Sequence, residues 1–98
     1  MLVMSININR KYNEMIPVYD AVKADWIVGK DKRQSVKLVF AEYRGKVLGV
    51  YSIDGWKQNA NGRWEFWGKD VSEEYKKYIG RDLQKKKGQS NPIHYFEI

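Results

Sequence analysis

The sequence predicts an α+β fold, a small curved mixed sheet or barrel of about five strands carrying two short helices. Three observations predict it. Residues 36–68, VKLVFAEYRGKVLGVYSIDGWKQNANGRWEFWG, hold runs rich in Val, Phe, Tyr and Trp broken by Gly and Asn, the usual signature of strands joined by tight turns. Two stretches near residues 17–28 and 72–79 instead space their apolar residues three and four apart, the helical period. Finally, 98 residues that are 43% apolar give room for one modest core, so a single compact unit over 1–98 is expected.

The chain opens with an alternating segment over residues 2–9. Leu2, Met4, Ile6 and Ile8 fall on one face and Val3, Ser5 and Asn7 on the other, which predicts a half-buried strand. After a polar loop, Pro17 is well placed at the first position of a short helix, where its missing N–H costs nothing. Val18, Ala21 and Val22 form that helix's apolar stripe, and it should stop before Gly29, with Trp26 and Ile27 as anchors onto the sheet. Residues 29–35, GKDKRQS, read as a charged loop. Residues 36–43 are apolar on both faces, as expected for a central covered strand or a strand of a closed barrel. Arg44-Gly45 should turn the chain into a second strand, whose Gly49 marks a bulge or sharp bend.

The stretch DGWKQNANG reads as a polar loop leading to the third strand of the meander. There Trp64 and Phe66 share one face while Arg63, Glu65 and Trp67 share the other, so one Trp should be inside and one outside. Ser72 followed by Glu73 and Glu74 looks like a helix start, with Tyr75, Tyr78 and Ile79 as its stripe and Gly80 as its end. Residues 81–90 form a basic loop, Asn91-Pro92 a turn, and residues 93–98 a closing strand.

Several function classes lose support at once. There are no cysteines, which excludes disulfides and thiolate chemistry and fits a reducing cytoplasm. The start, MLVMSININRKY, has no basic segment before its apolar run, and no run is long enough to span a bilayer, so neither a signal peptide nor a membrane partner is expected. A cytoplasmic location is the expectation. His94 is the only histidine. A histidine metal site needs several ligands and nucleophilic catalysis needs a base beside Ser or Cys, so no catalytic residue, metal or cofactor is assigned. Gly49-Val50-Tyr51 and Tyr78-Ile79-Gly80 imitate the paired tripeptides of the GIY-YIG nucleases, but they are too far apart and the second closes the expected helix.

The positive side of the ledger is charge and aromatics. Net charge is +6, a basic excess of the kind that favours a polyanionic partner. Its clusters are Lys30, Lys32 and Arg33, and then Arg81, Lys85, Lys86 and Lys87. Lys and Arg neutralise phosphates and release counterions, which supplies affinity without sequence preference. Trp56 in its polar loop, Trp67 on the outer face of its strand and Trp26 at a helix end are the candidates to stack on an unpaired base. Asp25, Asp54, Asn59 and Asn61 could read a base edge, the last three being equally ordinary turn residues.

The units AEYRGKVLGVYSIDGW, GRWEFWG, YIGRDL and the closing NPIHYF resemble small bacterial and phage domains of the PUA-like superfold, which includes the PUA, ASCH, EVE and YTH domains. The resemblance covers residues 19–96 in architecture. It implies a curved barrel that binds nucleic acid or a modified nucleobase in an aromatic pocket, and it transfers no site residue. The expected function is therefore a non-catalytic binding module for RNA, other nucleic acid or a modified base. The alternative is a protein-interaction module whose basic loops and exposed aromatics meet an acidic surface, since Trp, Tyr and Arg also dominate protein interfaces.

Overall fold

β1 (Leu2–Asn7) and β2 (Val36–Tyr43) lie parallel at the centre of a four-stranded sheet of order β3-β2-β1-β6. β3 (Lys46–Ser52) runs antiparallel to β2, and β6 (Ile93–Glu97) antiparallel to β1. A second, two-stranded sheet pairs β4 (Gly55–Gln58) with β5 (Trp64–Trp67). The computed structural model describes residues 1–9, 16–24, 26–81 and 92–98. The α+β class and the mixed sheet expected from the sequence are therefore present, while among the described residues the sheet does not close into the alternative barrel: the order ends at β3 and β6, and the hairpin stands as its own sheet.

Parallel neighbours need a crossover rather than a tight turn. The chain between β1 and β2 supplies one with α1 (Val18–Val22) and α2 (Lys30–Ser35). The two central strands are covered on both faces, which explains the apolar run over residues 38–41 of β2. It also corrects the reading of β1 as half-buried, because Val3 and Ser5 are as hidden as Met4 and Ile6. On one face, Met4, Ile6, Ile8, Val39, Ala41 and Tyr51 pack with Ala21 and Val22 of α1, Trp26, and Phe66 of the hairpin. On the other, Val3, Leu38, Phe40, Val47 and Val50 pack with Val71, Tyr75, Tyr78 and Phe96.

Two irregularities bend the sheet. Between β1 and β2 the register steps from Leu2↔Val36 to Val3↔Leu38, which leaves Lys37 as the extra, exposed residue. Between β2 and β3 it steps from Ala41↔Gly49 to Glu42↔Val47, which leaves Leu48 unpaired and turned outward. That second bulge lies where Gly49 predicts it, and an extra residue on one strand increases local twist and curvature. The Arg44-Gly45 turn is also as expected, with φ of 51° and 85°. Two positive φ values mark the hairpin turn that matches strand twist, and the Arg44 amide is held by Asn9 Oδ1 at 2.8 Å.

The outer edge of β3 is sealed by residues 69–81. Ser52 N–H donates to Lys69 O (2.9 Å), Val71 N–H to Val50 O (2.9 Å) and Gly80 N–H to Val47 O (2.8 Å). A sheet edge left open invites pairing with other chains, and this segment removes that hazard. It does so at the expense of the helix expected over 72–79, of which only a 3-10 turn, Lys76–Tyr78, forms. Ser72 does not cap a helix; its Oγ accepts from the Val50 amide at 2.9 Å. Tyr78 lies over Phe40 with ring centroids 5.3 Å apart. So short a segment gains more by covering the core than by completing turns that must first be nucleated.

Two further corrections concern segments read as loops. Residues 30–35 form α2 without burying a single side chain, so no apolar period announces it. Lys, Arg and Gln are good helix formers, and Asp31 near the start with Lys32 and Arg33 near the end suit the helix dipole. The stretch holding Trp56 is β4, closed onto β5 by a turn in which Gly62 takes φ +81° and Asn59 N–H donates to Arg63 O (2.7 Å). Ile27, expected to anchor on the sheet, is 76% exposed; its neighbours Trp26 and Val28 take that part.

Candidate functional site

α2 is where the basic and aromatic residues singled out in the sequence meet. Gly29 precedes it in extended conformation, and the chain enters β2 directly after Ser35. With no core face of its own, α2 is held in place by its flanks. Arg33 lies over the Trp64 ring, its guanidinium carbon 3.7 Å from the centroid, and donates to the Val28 carbonyl. Trp56 Nε1 donates to the Arg33 carbonyl at 3.1 Å. Lys32 Nζ sits 4.7 Å from the centroid of the Tyr95 ring on β6. Three half-buried aromatic rings therefore flank one short cationic helix, with Lys30, Lys32 and the bulge residue Lys37 exposed on it or beside it.

Each candidate can now be placed. Lys30 is exposed, Lys32 and Arg33 rest on aromatic faces, and Lys85, Lys86 and Lys87 lie outside the described residues. Trp56 is half-buried, edge-on to Phe66 with centroids 6.0 Å apart, so it anchors β4 and offers no open face of the kind its expected loop position implied. Trp26 is only 7% exposed and donates its Nε1–H to Val22 O at 2.6 Å; as a core residue it presents no stacking face. Its backbone also bridges Trp64 in both directions, N–H to O at 2.9 and 2.8 Å, which ties the hairpin to the end of α1's segment. Trp67 is on the outer face, 52% exposed, as the alternation along its strand predicts. It is thus separated from Trp56 by the thickness of the hairpin.

Sequence reasoning missed Trp64, Tyr95 and Lys37 as members of this group. Only Lys37 left a signal, as the one charge inside an otherwise apolar strand start. Of the possible base-edge readers, Asp25 lies outside the described residues. Asp54 accepts from Ser52 Oγ at 3.4 Å, and Asn61 Oδ1 holds the Arg63 amide at 3.0 Å, which is turn chemistry. Burial pushes the Tyr95 phenol above its ordinary range, so the ring beside Lys32 stays neutral and offers its face rather than a charge.

His94 is half-buried on β6, directly opposite Ser5 in the β1–β6 register. Ser5 Oγ, however, donates to Glu42 Oε2 at 3.2 Å, and both residues are 1% exposed, beyond the reach of a substrate. Among the described residues no group of three or more His, Asp or Glu side chains is arranged to hold a metal ion. No helix among them is long and apolar enough to cross a membrane. No protein-family model matches this chain, and no curated protein and no solved structure matches it.

Proposed function

We propose that this chain is a non-catalytic nucleic-acid-binding module in which α2 supplies the phosphate contacts. The observation that carries the reading is the composition and placement of that helix. KDKRQS buries nothing, stands net positive and is clamped by Trp56, Trp64 and Tyr95, with Lys37 exposed just beyond it. A helix that contributes nothing to the core and is nonetheless fixed in position is well suited to present charge. The rings beneath Lys32 and Arg33 limit their rotamers, so less freedom is lost when a phosphate is bound. The PUA-like relation belongs to the same proposal. A mixed sheet bent by two bulges supports it, while barrel closure is absent from the described strands.

The test is polarisation of labelled single- and double-stranded RNA and DNA at two salt concentrations, with the native chain and with Lys30, Lys32 and Lys37 all changed to Glu. Expected is binding by the native chain with a steep salt dependence, lost or strongly weakened in the variant. Loss of three single-strand contacts should lower the slope of log K against log salt by about 2. Absence of binding at low salt, or a variant that binds as well as the native chain, would overturn the reading.

A further inference from the structure

The four tryptophans differ in what they touch. Trp26 and Trp56 donate their indole N–H to backbone carbonyls, and Trp64 is covered by a guanidinium. Trp67 has no hydrogen bond, ring contact or cation against its indole among the described residues, and half its surface is open. It is not loose, however. Its cross-strand partner is Gly55, and a Cβ on Gly55 would fall 2.1 Å from Trp67 Cζ2 and 2.5 Å from Cη2. The benzo edge of the indole therefore lies directly against the glycine backbone. A side chain is disfavoured there only because the ring occupies the space; a strand otherwise gains from having one.

The backbone around the ring is equally fixed. Asp54 N–H donates to Trp67 O at 2.8 Å, and Lys69 N–H donates to Ser52 Oγ at 3.0 Å. A Cβ on Gly68 would meet Ser52 O at 1.8 Å, so the two segments touch backbone to backbone. On the same outer face the register puts Lys57 opposite Glu65, diagonal to Trp67, while exposed Arg63 immediately precedes β5 and exposed Lys69 follows it by two residues. Glu65 is the carboxylate of this face; of those nearby, Asp54 accepts from Ser52 Oγ and Asp70 from the Ser72 amide.

We infer that Trp67, held in place against Gly55, is a stacking platform for one unpaired base of a single-stranded nucleic acid, with Lys57, Arg63 and Lys69 on the adjoining phosphates. The inference rests on the nucleic-acid reading above and names its ligand as single-stranded. A base within a duplex is already stacked on both faces and gives the indole nothing to cover, whereas an unstacked base does. An apolar protein patch fits less well, because it would have to desolvate the charged pair Lys57 and Glu65 beside the ring.

The experiment compares a short labelled single strand with an abasic strand of equal length, which keeps every phosphate and removes every base. The native chain should prefer the base-bearing strand about 10-fold or more, the range expected of a stacked base. Trp67→Ala should lose that preference while keeping its affinity for the abasic strand and its melting temperature. Gly55→Ala, which displaces the ring without removing it, should lose most of the preference, and Trp67→Phe should keep part of it even if the glycine variant fails to fold. Equal binding of the two strands, unchanged in Trp67→Ala, would overturn the platform and leave the α2 reading standing. No binding of either strand at low salt would overturn both.

Discussion

The four-stranded sheet and the β4–β5 hairpin solve the same burial problem in opposite ways. The sheet hides both faces of its central strands, so Val3, Met4, Val39 and Phe40 are all fully enclosed. The hairpin hides only one face. Phe66 enters the core while its neighbour Trp67 stays in solvent. Two strands alone are marginally stable in water, so the hairpin depends on what it docks against. Its dock is specific: two hydrogen bonds to Trp26, one from Phe66 N–H to Lys23 O at 3.1 Å, and the Arg33–Trp64 stack. The lesson is one of division of labour. Once the inner face has fixed the hairpin, the outer face is free of the core and its residues can be chosen for a ligand.

The most forceful way to break that division is to remove the inner anchor. Phe66→Ala should cost about 3–5 kcal/mol, as expected for a large buried ring whose cavity cannot fully collapse. Thermal unfolding followed by circular dichroism would measure it, and the adjacent Trp67→Ala, on the outer face, should stay within about 0.5 kcal/mol. If both changes cost the same, the hairpin does not have one structural and one free face.

The next effect is confined to the sheet. Tyr51 on β3 is buried under α1, and its pKa is raised from 10.0 to about 12, first by desolvation and then by Asp70, Tyr19 and Asp20. The folded state thus holds the phenol proton more tightly than the unfolded chain does. The stability this contributes is fully present below the unfolded value of 10.0 and is lost as pH rises through about 12. The loss amounts to about 2–3 kcal/mol. Tyrosinate absorbance should show late titration from the two raised phenols, Tyr51 and Tyr95, and the part that Tyr51→Phe removes should move down only in part with Asp70→Asn, because burial is the larger cause. A Tyr51 that titrates near the ordinary value of 10.0 would mean that this face of the sheet admits water.

How much of this was legible in the sequence follows from the same contrast. The sheet was, because covered strands write themselves as apolar runs: residues 36–43, the Arg44-Gly45 turn and the bulge near Gly49 are all where the residues imply. The outward turn of Trp67 was legible too, from simple alternation. The hairpin's first strand was not. Gly55, Trp56, Lys57 and Gln58 carry one apolar residue in four, since Gly55 has given up its side chain to the Trp67 ring and two others face solvent. α2 was invisible for a related reason. It is fixed by a guanidinium on an indole and a carbonyl accepting from an indole N–H, neither of which leaves a periodic trace. The helix expected over 72–79 failed the other way round. Its signals were local and correct, but Ser72 and Tyr78 serve the β3 edge and Phe40 instead.

The smallest effect tests the joint between the two regions. Arg33, on α2, touches both the hairpin and the chain before the helix, through its carbonyl and its stack on Trp64 and through its bond to Val28. Arg33→Ala removes the stack and the Val28 contact but leaves the carbonyl that Trp56 uses. The cost should be about 1–2 kcal/mol, below the sum of a cation–π contact and a hydrogen bond from a charged donor because the guanidinium stays partly in solvent. Trp64, half-buried beneath the guanidinium, should become more accessible to a small quencher. Arg33→Lys separates the two contributions: a lysine keeps charge for phosphate but cannot both stack flat and reach the carbonyl. If the lysine variant binds nucleic acid as tightly as the native chain yet melts lower, Arg33 serves the joint. If it melts unchanged and binds more weakly, the guanidinium itself is a ligand contact as well as a structural one.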